Sequence, residues 1–272
     1  MSITIGEALR RLGGGTAVIE ARVLMRHVLG CDDSHLIVHG NQALTAAQAE
    51  AFEALAARRS RGEPVAYLTG FREFFRLEFE VTPAVLIPRP ETERLVEAAL
   101  ARIPAQSECR VLELATGSGC VAVAIALNRS RARVTATDAS RAALAVAREN
   151  AARHQAPVEF VESDWFAALA GRRFEWIVAN PPYVAAQDPC LAQGDLRFEP
   201  RTALIAGTDG LDCIRLIIMH ARAHLAPGGG LLLEHGYDHA GRCRALLAGA
   251  GFHHVTSHRD LAGIERVSEG RI

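Results

Sequence analysis

The four residues Asn180-Pro181-Pro182-Tyr183 end an apolar run, Trp176-Ile177-Val178-Ala179, and set an amide and an aromatic ring on a stiff turn. The run has the composition of a strand and is too short for a helix. Each proline fixes its own φ and lacks an N–H, so strand pairing stops there. Asn180 precedes a proline and is biased to an extended backbone. An amide oxygen held at that point can accept a hydrogen bond from an amino or amide group, and the carboxyl edge of an open α/β sheet is where ligands bind. Asn-Pro is also an ordinary turn signal, so the elbow gains meaning only from the residues that accompany it.

Upstream, Val111-Leu112-Glu113-Leu114-Ala115-Thr116-Gly117-Ser118-Gly119 reads as a strand running into a glycine turn. Gly117 and Gly119 allow close backbone approach to a ligand at a helix amino terminus. The next strand ends at Asp138, placed to accept hydrogen bonds from ribose hydroxyls. Gly117-x-Gly119-x-x-Ala122 with a spaced acid also satisfies the dinucleotide fingerprint, so a nicotinamide-dependent oxidoreductase is a competing reading. Three features separate the two. Glu113 suits a cationic ligand and would repel a pyrophosphate. Trp165, in Ser163-Asp164-Trp165, offers a ring to adenine. The Asn180 elbow offers acceptors to a planar nitrogen nucleophile. Together they fit S-adenosylmethionine and an amino or amide substrate.

These residues need a scaffold, and the periodicity supplies one. Strands are expected at 110–115, 133–138, 158–162, 174–179, 230–235, 252–258 and 264–269, with helices at 119–129, 140–153, 211–226 and 239–250. Alternation of this kind makes a mostly parallel sheet covered on both faces; the last two strands, with no helix between them, pair antiparallel. Residues from about 3 to 60 read as helices. Val18, Ala21, Met25 and Val28 fall on one face, Gly30 is a stop signal, and Thr45 with Gln48 reads as a capping box. Alternation over 71–81 predicts a β-hairpin. Pro88 and Pro90 exclude a helix until Pro90, which suits a first turn, followed by a helix to about Ile103. The expected organisation is a helical domain over 1–70, a hairpin linker over 71–84 and an α/β domain over 85–272.

The chain has 272 residues, 49% of them hydrophobic, and a net charge of -1, which argues against a broad nucleic-acid footprint though not a local one; every basic residue is arginine, from which no function follows. Its six cysteines form no CxxC pair, and His235, His239, His253 and His254 lack metal-ligand spacing with an acid or thiolate; no metal is expected. No apolar stretch approaches a membrane span and no signal peptide is apparent, so a cytoplasmic protein, acting as a monomer, is expected.

The chain resembles the glutamine-specific protein methyltransferases that modify peptide chain release factors, the PrmC/HemK family. The resemblance rests on Glu63-Pro64-Val65-Ala66-Tyr67-Leu68-Thr69-Gly70, residues 85–93, 113–119, Asn180-Pro181-Pro182-Tyr183, Arg197-Phe198-Glu199-Pro200-Arg201 and residues 231–237, and spans nearly the whole chain. Asn-Pro-Pro-Tyr is shared with DNA adenine methyltransferases; residues 88–93 and 198–201 narrow the match. The resemblance implies a Rossmann-like class I methyltransferase fold of seven strands. It implies that Ala115, Thr116, Gly117, Ser118, Gly119, Asp138 and Trp165 bind S-adenosylmethionine, and that Asn180, Pro181, Pro182 and Tyr183 hold the glutamine of a release factor's Gly-Gly-Gln loop. Two positions depart from the family: Ala115, where glycine is usual, and Glu113, where aspartate is common; the added methyl is expected to tighten the turn or alter cofactor affinity. Arg197, Glu199 and Arg201 have two readings, a surface ion pair or an ordering of the loop after Tyr183. The alternatives are a DNA or RNA amino-methyltransferase, disfavoured by the absence of a basic face, the nicotinamide-dependent oxidoreductase, and a non-catalytic adaptor.

Overall fold

A computed structural model describes residues 3–11 and 16–272. They form two compact units. One contains the chain up to Phe71 together with Ala192–Phe198, and the other contains Arg72–Leu191 and Glu199–Ile272.

The first unit is built from α1 (Ile5–Arg11), α2 (Thr16–Leu29), α3 (Asp33–Val38), α4 (Ala46–Ser60) and α5 (Val65–Thr69). The expected apolar face of α2 is present: Ala21 and Met25 are buried, and Val18 and Val28 half-buried, around a core with Ile5, Leu36 and Phe52. The capping box is complete, with Gln48 N–H donating to Thr45 Oγ1 at 3.2 Å and Thr45 N–H to Gln48 Oε1 at 3.0 Å. Such a box satisfies two of the amide donors that a helix start leaves open. The segment Ala192–Phe198 joins this unit through polar contacts. Arg59 ion-pairs with both Glu20 and Asp195, and Arg197 donates to the Arg61 carbonyl at 2.8 Å.

The second unit opens with a hairpin, β1 (Phe71–Phe74) and β2 (Leu77–Glu80). Its turn residues Phe75 and Arg76 both have positive φ, 51° and 62°, where Asn-Gly would be usual. Tertiary contacts hold it. Phe75 N–H donates to the Glu93 carboxylate at 2.8 Å, and Phe74 and Phe79 are buried edge to face. The rings of Phe74 and Phe79 thus join the hairpin to this unit's core.

The sheet comprises β3 (Cys109–Leu114), β4 (Ala132–Asp138), β5 (Val158–Glu162), β6 (Phe174–Ala179), β7 (Leu225–Glu234), β8 (His253–Arg259) and β9 (Glu265–Arg271), in the order β5-β4-β3-β6-β7-β9-β8. Pairing is parallel except around β9, which is antiparallel to both β7 and β8. The covering helices are α6 (Glu93–Arg102), α7 (Cys120–Asn128), α8 (Arg141–Arg153), α9 (Asp212–His224) and α10 (Ala240–Gly249). Successive side chains of a strand face opposite ways. Accordingly Val111 and Val178 join the α6–α7 core, while Leu112, Leu114 and Ile177 join that of α9 and α10. From β3 the chain goes to β4 on one side and later to β6 on the other, both parallel to β3. That reversal opens a crevice beyond the carboxyl ends of β3 and β6. Among the described residues no helix is long and apolar enough to cross a membrane.

Candidate active site

The glycine turn after β3 is held from all sides. Ala115, Gly117 and Gly119 have φ of 55°, 55° and 80°. A Cβ on Gly119 would lie 3.0 Å from the Ala147 Cβ, so α8 packs directly on the turn. Asp138, at the end of β4, accepts from Gly117 N–H and Ser140 N–H, each at 2.9 Å. Asn150 of α8 is wholly buried and donates to the carbonyls of Ser118 and Glu80, both at 2.9 Å, while accepting from Glu80 N–H at 2.7 Å. It ties the turn to the hairpin. Nothing local in the sequence marks it, because its partners are backbone groups far along the chain.

Glu113 is 2% exposed and also works within the turn: its Oε2 accepts from the Thr116 hydroxyl and from Ala122 N–H at 3.0 Å. Gly119 occupies the N-cap of α7 and has no side chain to offer an amide there. Glu113 supplies that missing acceptor from the preceding strand. Burial pushes its carboxyl up to about 8, against the pull of these two donors, so at neutral pH it is mostly protonated.

At the elbow, Asn180 Nδ2 donates to Thr92 Oγ1 at 3.1 Å. The Asn180 oxygen takes no hydrogen bond from the described residues. Thr92 is 3% exposed and lies in the short 3-10 turn Pro90–Thr92 that leads into α6. Pro181 and Pro182 are buried. Tyr183 packs on the α9–α10 core, and its hydroxyl donates to Glu234 at the end of β7, 3.3 Å away. Gly210 presses on the elbow from outside, since a Cβ there would lie 2.4 Å from the Tyr183 carbonyl oxygen.

Glu113, Ala115, Thr116, Gly117 and Ser118 line one cleft of about 470 Å³ with Asp138, Trp165, Asn180 and Pro182. Gly119, Pro181 and Tyr183 adjoin these residues in sequence and are not among those that line the cleft. Trp165 is half-buried at φ 48°, its turn held by Ser163, whose hydroxyl donates to the Trp165 carbonyl at 2.8 Å. Thr92 and Arg89 also face the cleft. The motif around Glu199 divides. Glu199 is buried, pairs with Arg89 and accepts from Ile87 N–H at 3.2 Å, joining the stretches at 85–93 and 198–201, whereas Arg197 belongs to the helical unit. The Glu199 carboxyl is thus buried, while its partner Arg89 is partly exposed. His235 is fully buried between Ser268 Oγ and the Gly236 carbonyl, each at 2.9 Å, and burial lowers its pKa. Among the described residues no three His, Cys, Asp or Glu side chains group as metal ligands.

Residues 4–70 match the family model of the PrmC N-terminal domain, and residues 93–194 that of the methyltransferase small domain. The release factor glutamine methyltransferase of Burkholderia pseudomallei is 55% identical, with 93% of this chain and 92% of the relative covered. That of Escherichia coli K12 is 46% identical over 93% and 91%. Among solved structures, the catalytic domain of human Mettl16 superposes with a TM-score of 0.57 at 15% identity, covering 79% of each chain. A methyltransferase from Pyrococcus furiosus superposes with 0.54 at 19%, covering 79% of this chain and 96% of that one. At these identities the structures speak to fold alone, and the fold is that of class I methyltransferases. Identity near one half over nine-tenths of the length, on both parts of the chain, speaks to family: the chain belongs to the release factor glutamine methyltransferases.

Proposed function

We propose that the protein transfers a methyl group from S-adenosylmethionine to the side-chain amide nitrogen of the glutamine in the Gly-Gly-Gln motif of peptide chain release factors. The observation that carries this reading is the Asn180 amide, whose nitrogen is committed to Thr92 and whose oxygen is left to accept. The cleft volume of about 470 Å³ lies within the usual range for cofactor sites, roughly 300–1,000 Å³. A carboxylate at the end of β4, Asp138, suits a ribose diol, and Trp165 suits a purine. Bound there, S-adenosylmethionine supplies an electrophilic sulfonium methyl.

A glutamine amide nitrogen is a poor nucleophile, because its lone pair is delocalised into the carbonyl. Deprotonation at neutral pH is not available to it. The protein's contribution is position. Asn180 Oδ1 and the Pro181 carbonyl accept the two N–H bonds of the substrate amide and aim its lone pair. Tyr183 walls the amide, its own hydroxyl being held by Glu234. Alignment of this kind is worth several kcal/mol, roughly 7–11 in ideal model systems. The methylated amide sheds a proton readily, so no strong base is needed. Among its described residues the helical unit presents no catalytic grouping, and it serves to recognise the protein substrate.

The test is mass spectrometry of a release factor after incubation with enzyme and isotopically labelled S-adenosylmethionine. A single labelled methyl on the Gly-Gly-Gln glutamine is expected. Label in duplex DNA or RNA, and none in the release factor, would overturn the reading.

A further inference from the structure

Two stretches far apart in the chain line the same cleft. Residues 84–86 follow the hairpin, and residues 115–118 form the glycine turn. One side chain is bonded both to that turn and to the hairpin. Asn150 of α8 is wholly buried. Its Nδ2 donates to the carbonyls of Ser118 and Glu80, each at 2.9 Å, and its Oδ1 accepts from Glu80 N–H at 2.7 Å. These partners fix which end of the amide is oxygen, since a backbone N–H only donates and a carbonyl only accepts. With both protons and the oxygen engaged, no other side chain of this size can take its place. A carboxylate has no protons to give when ionised, and a hydroxyl has one. Asparagine is a poor choice inside an alanine-rich helix, and a buried amide is costly unless its bonds are made. The three bonds account for it.

On the turn, the peptide unit between Ser118 and Gly119 is held at both ends. Its carbonyl accepts from Asn150, and its N–H donates to the Thr116 carbonyl at 2.9 Å. That unit cannot rotate without breaking one bond or the other. On the hairpin, Glu80 is the last residue of β2 and exchanges both of its backbone groups with Asn150, as a residue does with a strand partner. The chain then turns at once, Val85 N–H donating to the Thr82 carbonyl at 3.0 Å, and enters the cleft lining at Ala84. We infer that Asn150 is a positioning residue for S-adenosylmethionine: its amide fixes the Ser118 peptide against the hairpin, so that cofactor bound on the glycine turn stiffens the end of β2. This rests on the cleft's taking the cofactor and not on which group accepts the methyl.

The test uses S-adenosylhomocysteine, which binds without reacting, and compares wild type with Asn150→Leu, Asn150→Asp and Phe74→Leu. Asn150→Leu keeps the volume and loses all three bonds, and Asn150→Asp keeps the acceptor and loses both donors. Phe74→Leu loosens the buried hairpin rings and leaves the three bonds in place. Calorimetry is expected to show Kd weakened about 10-fold or more in both Asn150 variants, because the turn carbonyl loses its donor. Phe74→Leu should stay within about threefold, being no partner of the turn. Nitrogen-15 NMR then follows hydrogen exchange at Glu80 N–H, with Thr256 N–H of β8 as the reference for ligand effects on the whole fold. In wild type the ligand should slow Glu80 about 10-fold more than Thr256, and in Asn150→Leu this excess should vanish. A role in folding alone would lower the melting temperature and leave both Kd and the excess unchanged. Kd within about threefold of wild type in Asn150→Leu, against that expected loss, would overturn the inference. So would an equal weakening in Phe74→Leu, or a wild-type Glu80 that responds to ligand no more than Thr256 does. If Asn150→Leu does not fold, Asn150→Asp and the wild-type exchange decide.

Discussion

Asn180 carries its role in two atoms that share a shape, and substitution separates them from the rest of the site. Asn180→Ala removes the acceptor that binds the nitrogen more strongly as positive charge develops on it. A loss on the order of 10²–10³ in kcat is expected, with modest change in S-adenosylmethionine affinity. Asn180→Asp keeps shape and acceptor and should retain partial activity; single-turnover rates at saturating cofactor measure both. A rate above about a tenth of wild type for Asn180→Ala, against that expected loss, would make the elbow a structural turn. Ala115 poses a different question. Its φ of 55° lies in the left-handed region, at roughly 1–2 kcal/mol for a residue with a Cβ. Ala115→Gly relieves that strain and adds back about 0.4–1 kcal/mol of unfolded-chain entropy. The relief is larger, so thermal denaturation should show a net gain of up to about 1 kcal/mol. Glu113 makes stability depend on pH. Its folded pKa, about 8, stands above the ordinary carboxylate value of 4.5. Between those values the unfolded chain has released a proton that the folded one keeps, so its contribution to stability falls as pH rises. Glu113→Gln keeps an acceptor for Thr116 and Ala122 without this dependence. Its melting temperature relative to wild type should climb from pH 4.5 to 8, and a gap constant across that range would show that Glu113 is ionised when folded.

At the scale of elements, the site depends on what packs against its turns. Gly210, at φ 74°, leaves room for the Tyr183 carbonyl, 2.4 Å from where a Cβ would stand. Gly228 has a similar φ of 76° with nothing within 4 Å of its Cβ position. Each Gly→Ala change carries the left-handed cost of roughly 1–2 kcal/mol, but only Gly210→Ala displaces the elbow. Both variants should melt earlier. Gly210→Ala alone should lose about 10-fold or more in kcat with S-adenosylmethionine affinity kept, as expected for a misplaced reacting group. Equal rates in the two would mean that the backbone at Tyr183 is free to shift. The hairpin shows the same dependence on context. Phe75 and Arg76 are poor residues for its turn, and the Glu93 carboxylate and the buried rings of Phe74 and Phe79 hold it.

At the scale of the molecule, the cleft lies wholly within the second unit, while Ala192–Phe198 belongs to the helical one. Removing residues 1–70 should leave S-adenosylmethionine binding within about threefold, since no cleft contact is lost. Methylation of a release factor should fall sharply. The segment Ala192–Phe198, deprived of Arg59 and the Arg61 carbonyl, should become the first point of limited proteolysis. A soluble truncate with unchanged KM for the release factor would show that the helical unit has another role.

The sequence by itself determined the sheet and the order of its elements, because periods of 2 and 3.6 are local and the turns carry their own glycines and prolines. The seven strands and their covering helices stand within a few residues of the expected bounds, apart from the earlier start of β7 at Leu225. It also marked Gly117, Asp138 and Asn180, which sit at strand ends where the chain must turn. Only the tertiary structure decided what orients them. Asn150 meets Ser118 and Glu80, Thr92 meets Asn180, Glu199 meets Arg89, and Glu234 meets Tyr183 across 32 to 110 positions of chain. Such partners leave no local pattern, because a buried hydrogen bond depends on what folding brings within about 3 Å and not on spacing in sequence. Glu113 shows the limit most clearly. Its place on the strand was legible, but its state was not: burial, against the pull of two donors, decides that it holds its proton, and folding brings it to α7 as the cap that Gly119 lacks.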